Sequence, residues 1–221
     1  MVLNAREEIL ARLKSAPSAS VPARPELPPA RELALDAGQL VLRFEEQLTA
    51  QGGIAIRAAD ETALLAKLEA LLRQEAVTRA MASPDAILSP LGLERWGRTV
   101  GIEILTPSAF SDRDDYTRAV FDQAQAGISG ADYAVAESGT LVLVHDARQP
   151  RLLSLAPLVH IAVVPLARIV PTYEAALLSI YAARRPSQVT LITGPSMTAD
   201  IQATPFKGMH GPQKLFVMLL G

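Results

Sequence analysis

Short apolar runs alternate with amphipathic helical segments along most of this chain. That alternation restricts the fold more than any single motif does. Ile54–Ile56, Val77–Met81, Ile102–Leu105, His160–Val164, Val189–Thr193 and Leu215–Leu220 read as buried strands. A helix from Asp36 to Ala50 sets Leu40, Val41, Phe44 and Leu48 on one face, and Gly52 and Gly53 end it. Asp60 caps a longer helix whose broad apolar face carries Leu64, Leu65, Leu68, Leu71 and Leu72. A short helix is expected around Leu91–Trp96, with Trp96 as a packing residue. Another opens on the acids Asp112, Asp114 and Asp115, which suit the positive end of the macrodipole. It runs through Val120 and Phe121 to Gln125, and Gly127 closes it. Thr172–Ala183 is a further helix that Pro171 helps start. Strands joined through helices of roughly ten or more residues favour parallel pairing. The expected fold class is α/β: a layered, mostly parallel sheet with helices on both faces, occupying residues 31–221.

Within that frame the stretch from Gly130 to Val144 is distinctive. Two apolar segments, Tyr133–Ala136 and Leu141–Val144, flank a polar break made of Glu137, Ser138, Gly139 and Thr140. Apolar residues on both sides predict burial on both faces of a sheet. A carboxylate in such a run is costly unless it is paired, hydrogen-bonded or protonated. Two readings are open. One is a tight hairpin with Gly139 at positive φ and Glu137 facing water. The other is a ligand or catalytic site at a strand end.

A second polar break, Gly194 to Asp200, follows the strand Val189–Thr193. Ligands in open α/β sheets bind outside the carboxyl ends of strands. Gly194 allows close backbone approach, Ser196 and Thr198 supply hydroxyls, and a following helical turn would aim free N–H groups at an anion. Asp200 could orient a polar ligand group or simply fix the loop. A turn started by Pro195 with Asp200 as a local cap is the plainer alternative. Neither the G-x-G-x-x-G spacing nor the G-K-[ST] ending of nucleotide-binding loops is present. A third break, Gly208 to Pro212, sets His210 between glycines, with an imidazole that ordinarily titrates near neutral pH. His145 and His160 are weaker candidates. No two histidines have metal-ligand spacing, so no metal site is expected. Ser196, His210 and Asp200 can be written as a triad, but no G-x-S-x-G elbow supports it.

The formal net charge is −2 and no basic run appears, which argues against nucleic acid as a partner. The chain has no cysteine, which excludes disulfides, thiolate catalysis and clusters held on protein thiolates. Acids near the N-terminus and the lack of a long apolar run point to a cytoplasmic protein without a membrane anchor. Asn4 to Lys14 reads as a helix with Ile9, Leu10 and Leu13 in a narrow stripe. Pro17, Pro22, Pro25, Pro28 and Pro29 then make an extended tether. Residues 1–30 are therefore expected to be an appendage that docks on its own domain or on a partner.

Taken in order, the segments GADYAVAESGTLVLV (130–144), LVHIAVV (158–164), IVP (169–171), ITGPSMTADI (192–201) and GMHGP (208–212) resemble the LUD-domain family. The chain looks like a member of its lactate-utilisation protein C group. The resemblance implies a fold similar to the sugar-phosphate isomerase and coenzyme A transferase superfamily. It also implies a role in oxidising L-lactate to pyruvate beside partner proteins that carry iron–sulfur clusters, with no cofactor bound by this chain. No catalytic set carries over. The leading expectation is a subunit that binds a small anion in a pocket built from Glu137, Ser138, Gly139, Thr140, Gly194, Ser196, Thr198, Asp200 and His210. Glu137 should then lie within a side chain's reach of the loop from Gly194 to Asp200. Two alternatives stand beside it: a coenzyme A transferase-like enzyme with Glu137 as nucleophile, and a non-catalytic scaffold.

Overall fold

A computed structural model describes residues 4–16, 33–183, 185–199 and 205–221. The proline-rich tether and Asp200 lie outside the described residues. The chain divides into two units, Met1–Ala30 and Arg31–Gly221. In the first, helix α1 (Ala5–Ser15) starts where the Asn4 side chain accepts a hydrogen bond from the backbone N–H of Arg6.

In the second unit, α2 (Ala37–Ala50) opens on a capping box between Asp36 and Gln39 and buries Val41, Phe44 and Leu48. Strand β1 (Ile54–Ala58) follows, then α3 (Glu61–Gln74), capped by Asp60. Next come β2 (Arg79–Ala82), α4 (Leu93–Val100), β3 (Glu103–Leu105) and α5 (Arg113–Asp122). The remaining main-sheet strands are β4 (Ala126–Gly130), β7 (Val159–Pro165) and β12 (Lys214–Leu220). These six strands form one sheet in the order β1-β12-β7-β4-β2-β3, with every neighbouring pair parallel.

Strand β4 corrects the sequence reading in one place. Helix α5 stops at Asp122, and Gly127 lies inside a central strand instead of closing the helix. The run from Ala126 to Gly130 offers only one large apolar side chain, so its strand signal is faint. The structural reason for Gly127 is contact: a Cβ there would sit 2.0 Å from the carbonyl oxygen of Leu153.

The chain between β4 and β12 also builds a second, four-stranded sheet that the alternation of strands and helices did not predict. Its order is β8-β5-β6-β9, from β5 (Tyr133–Val135), β6 (Thr140–His145), β8 (Ile169–Val170) and β9 (Gln188–Ile192). β5–β6 and β6–β9 are antiparallel, and β5–β8 is parallel. Leu141 and Leu143 of β6 share an apolar cluster with Leu215, Val217 and Leu219 of β12 and with Phe44 and Leu48 of α2. Alternation sends Phe216 and Met218 the other way, to Leu64, Leu68 and Leu72 of α3. The second sheet therefore covers part of one face of the main sheet. Its own far face packs on α6 (Tyr173–Ala183), through Val142 and Val144 against Ala176 and Ile180. That sandwiching explains why β6 is buried at every position.

Lastly, β10 (Met197–Ala199) pairs antiparallel with β11 (Pro205–Lys207). The helical turn expected after Gly194 is absent. Strand pairing between Thr198 and Phe206 takes that backbone instead.

Candidate functional site

The break at Glu137–Thr140 is the connection of the β5–β6 hairpin, and Gly139 has φ +68°. A Cβ on Gly139 would lie 2.2 Å from the backbone nitrogen of Leu48, so the turn is pressed onto the last turn of α2. Glu137 is half-buried rather than facing water. Its Oε1 accepts from the backbone N–H of Tyr173 at 3.0 Å, and its own N–H donates to the carbonyl of Pro171 at 3.1 Å. Tyr173 is the first residue of α6, whose opening N–H groups lack intrahelical partners. The carboxylate is thus a helix cap supplied by a distant turn.

Thr140 is fully buried, and its hydroxyl meets three others. Ser138 Oγ lies at 2.9 Å, Tyr173 Oη at 2.7 Å and Thr193 Oγ1 at 2.7 Å. One O–H and two lone pairs are fully used by three such neighbours. Through Tyr173 and Thr140, Glu137 is linked to Thr193, the residue before Gly194. The first two polar breaks are therefore tied together by side-chain hydroxyls.

Gly194 follows β9 with φ +81°, and a Cβ there would meet the carbonyl oxygen of Gln51 at 2.5 Å. Both breaks consequently lean on the C-terminal end of α2. The second and third breaks meet directly. Ser196 N–H donates to Pro212 O at 2.8 Å, and Gly208 N–H donates to Ser196 O at 2.9 Å.

Where they meet there is a cavity of about 230 Å³. Gly194, Ser196, His210 and Gly211 line it from the two breaks, with Thr190 and Thr193 from the β9 side and Ser154 from the turn before β7. Leu155, Ile192 and Leu215 give it apolar wall. Its innermost polar residue is His160, 1% exposed. Glu137, Ser138, Gly139, Thr140 and Thr198 are not part of this lining. The second break does follow a strand's carboxyl end, but that strand belongs to the second sheet. The main-sheet strands reach the cavity with their amino ends, through His160 near the start of β7 and Leu215 near the start of β12.

His160 is the residue that sequence reasoning undervalued. Its side chain follows the alternation of Ala162 and Val164 toward the second sheet, and its Nε2 lies 2.9 Å from Ser129 Oγ. Its Nδ1 is buried with no hydrogen-bond partner among the described residues. Burial pushes its pKa down to about 4, so the imidazole is neutral at physiological pH. The only signal in the sequence is one polar residue opening an otherwise apolar strand. His145 is a contrasting case. Its Nδ1 faces Gln149 O at 2.9 Å and its Nε2 faces Thr190 Oγ1 at 2.8 Å, so both nitrogens are satisfied. Burial lowers its pKa too.

A different cavity of about 430 Å³ lies past the carboxyl ends of β2 and β3, lined by Ser83, Arg95, Arg98 and Ser108 among others. Strand order reverses around β2, since β3 and β4 flank it on opposite sides. Among the described residues no group of three histidine, aspartate or glutamate side chains gathers to hold a metal ion. No helix among them is long and apolar enough to cross a membrane.

The LUD domain profile matches residues 41–220 of this chain. A lactate utilization protein C of Deinococcus radiodurans is 33% identical over 148 residues, 66% of this chain and 68% of that protein. One of Halalkalibacterium halodurans is 42% identical over 96 residues, 41% of this chain and 42% of that protein. Among solved structures, the crystal structure of a DUF162 family protein from Deinococcus radiodurans superposes with a TM-score of 0.60 at 27% identity. It covers 85% of this chain and 99% of its own.

Proposed function

This chain belongs to the LUD domain family, and from that premise we propose that it serves lactate utilisation as a ligand-binding subunit. The relatives named lactate utilization protein C support the role in lactate utilisation. In this reading it holds a small anion in the cavity between the two sheets and works beside iron–sulfur cluster proteins that carry the electrons. The observation that carries the ligand reading is the convergence of Gly194–Ser196 and His210–Gly211 on buried His160. Pockets for drug-sized ligands occupy roughly 300–1,000 Å³, so about 230 Å³ suits something smaller, such as lactate or pyruvate. Among the described residues no lysine or arginine lines the cavity, so the anion's charge is met by hydroxyls, imidazole and backbone groups.

The coenzyme A transferase alternative needs Glu137 free to attack a thioester. Its carboxylate is instead engaged with the start of α6, outside the cavity lining. The ligand reading is tested by isothermal titration of the full chain with L-lactate, pyruvate and inorganic phosphate. Saturable heat from at least one of them is expected. Its absence from all three, with folded protein in the cell, removes the reading.

A further inference from the structure

The cavity of about 430 Å³ past β2 and β3 shares no lining residue with the cavity between the sheets. In an open parallel sheet, ligands bind outside the carboxyl ends of the strands, in the crevice where strand order reverses. Here the crevice between β2 and β4 is filled by protein. Asp85 is buried, and its carboxylate accepts from the backbone N–H groups of Gly130 and Ile87 at 2.8 Å, from that of Leu88 at 3.0 Å, and from the Ser83 hydroxyl. The open space lies on the other flank of β2, between its carboxyl end, the residues after β3 and the start of α4, and no β4 residue lines it among those described. Its charged lining is Glu94, Arg95 and Arg98. Glu94 is half-buried, and its Oε1 accepts from the Thr106 hydroxyl at 2.7 Å. Arg57, Arg73, Arg79 and Arg118 each pair with an acid. Arg95 and Arg98 have no ion pair and no side-chain hydrogen bond among the described residues.

We propose that this cavity is a second ligand site, for a small organic phosphate whose phosphoryl group is held by Arg95 and Arg98. The two arginines are three residues apart on α4 and so share a face. A planar guanidinium matches phosphate oxygens two at a time, and two of them together answer a dianion better than a single carboxylate charge. A terminal nitrogen of Arg95 folds back on Gly92, 3.5 Å from where a Cβ would stand. That sets positive charge beside the start of α4, which no side chain caps and where the macrodipole is itself positive. An anion between them relieves the like-signed approach. Ser89, whose hydroxyl has no partner among the described residues, adds a donor. About 430 Å³ falls within the 300–1,000 Å³ of ordinary small-molecule pockets, which leaves space for a carbon portion against Leu88 and Leu93. Glu94 on the same wall disfavours a second acidic group on that portion, so the ligand is a monoester with an uncharged remainder.

The test titrates the full chain with glycerol 3-phosphate as the ester probe, beside inorganic phosphate and L-lactate, following heat and the ³¹P resonance of the ester. Saturable binding of the ester, tighter than that of inorganic phosphate, is expected. Arg95→Ala and Arg98→Ala replace exposed side chains, so both variants should fold. Each should weaken the ester at least about ten-fold, the loss of a charge-assisted contact. Any heat from L-lactate should be unchanged in them, because that ligand is assigned to the other cavity. Ser196→Ala, in the other cavity, should leave ester affinity within about two-fold of the parent. No saturable ester binding, or an ester affinity that both arginine variants retain, overturns the proposal. An ester bound no tighter than inorganic phosphate overturns the assignment of an organic ligand. Absence of lactate heat with the ester still bound through Arg95 and Arg98 supports this site while counting against the other.

Discussion

The Oγ1 atoms of Thr140 and Thr193 lie 2.7 Å apart, and that contact joins the β5–β6 turn to the end of β9. It belongs to a hydroxyl cluster, centred on buried Thr140, that also holds Ser138 and Tyr173. Substituting Thr140→Val keeps the shape but removes the hydroxyl that Ser138, Tyr173 and Thr193 share. Urea unfolding should show a loss of about 0.5–1.5 kcal/mol. A variant as stable as the parent would mean the cluster contributes nothing to the fold.

Glu137 separates a capping role from a catalytic one. The substitution Glu137→Ala removes the acceptor for Tyr173 N–H and should cost about 0.5–2 kcal/mol, as lost helix caps do. Ligand affinity at the cavity should stay within about two-fold of the parent, a change worth less than 0.5 kcal/mol. If binding disappears while stability holds, the carboxylate belongs to the ligand site after all.

Gly139 is held at positive φ with the backbone of Leu48 against its α-carbon. For any other residue the left-handed conformation alone costs about 1–2 kcal/mol, and a Cβ would in addition push α2 away. Gly139→Ala should therefore lower the unfolding midpoint more than Glu137→Ala does. Equal midpoints would indicate that the turn is free to move off α2.

Much of the architecture was legible because periodicity reports burial directly. The faces of α2 and α3 and the apolar strands β7 and β12 match the expected residues closely, since one-sided and two-sided burial leave different patterns. The second sheet was not legible. A strand such as β6, buried on both faces, looks the same in sequence whether it pairs in a parallel sheet or a hairpin. β4 was hidden by its glycines, which answer to close neighbours, Leu153 at Gly127 and Asp85 and Ile87 at Gly130, and not to strand propensity. At the site, Gly194, Ser196 and His210 announced themselves as polar breaks and do come together. His160 did not, because one polar residue in an apolar strand usually signals a satisfied core group, and only coordinates reveal an orphaned nitrogen. The placement of Glu137 was half visible: its turn is linked to Thr193, but its carboxylate is turned to α6.

The neutral state of His160 has a consequence for stability. Its folded pKa is pushed down to about 4 by burial, whereas in the unfolded chain it takes the ordinary value near 6.5. The unfolded state binds the extra proton between those values, so stability rises with pH there. The contribution is present above about pH 6.5, is lost as pH falls toward 4, and is on the order of 3 kcal/mol in total. His145, also lowered, acts in the same direction. Urea unfolding from pH 4 to 7 should give a shallower slope for His160→Leu than for the parent. Parallel slopes would show that His160 is not neutral in the fold.

The most direct test of the central claim is a crystal structure of the full chain soaked with L-lactate or pyruvate. The account predicts density in the cavity between the two sheets, adjoining Ser196 and His210. Density found only past the carboxyl ends of β2 and β3, beside Arg95 and Arg98, would contradict it.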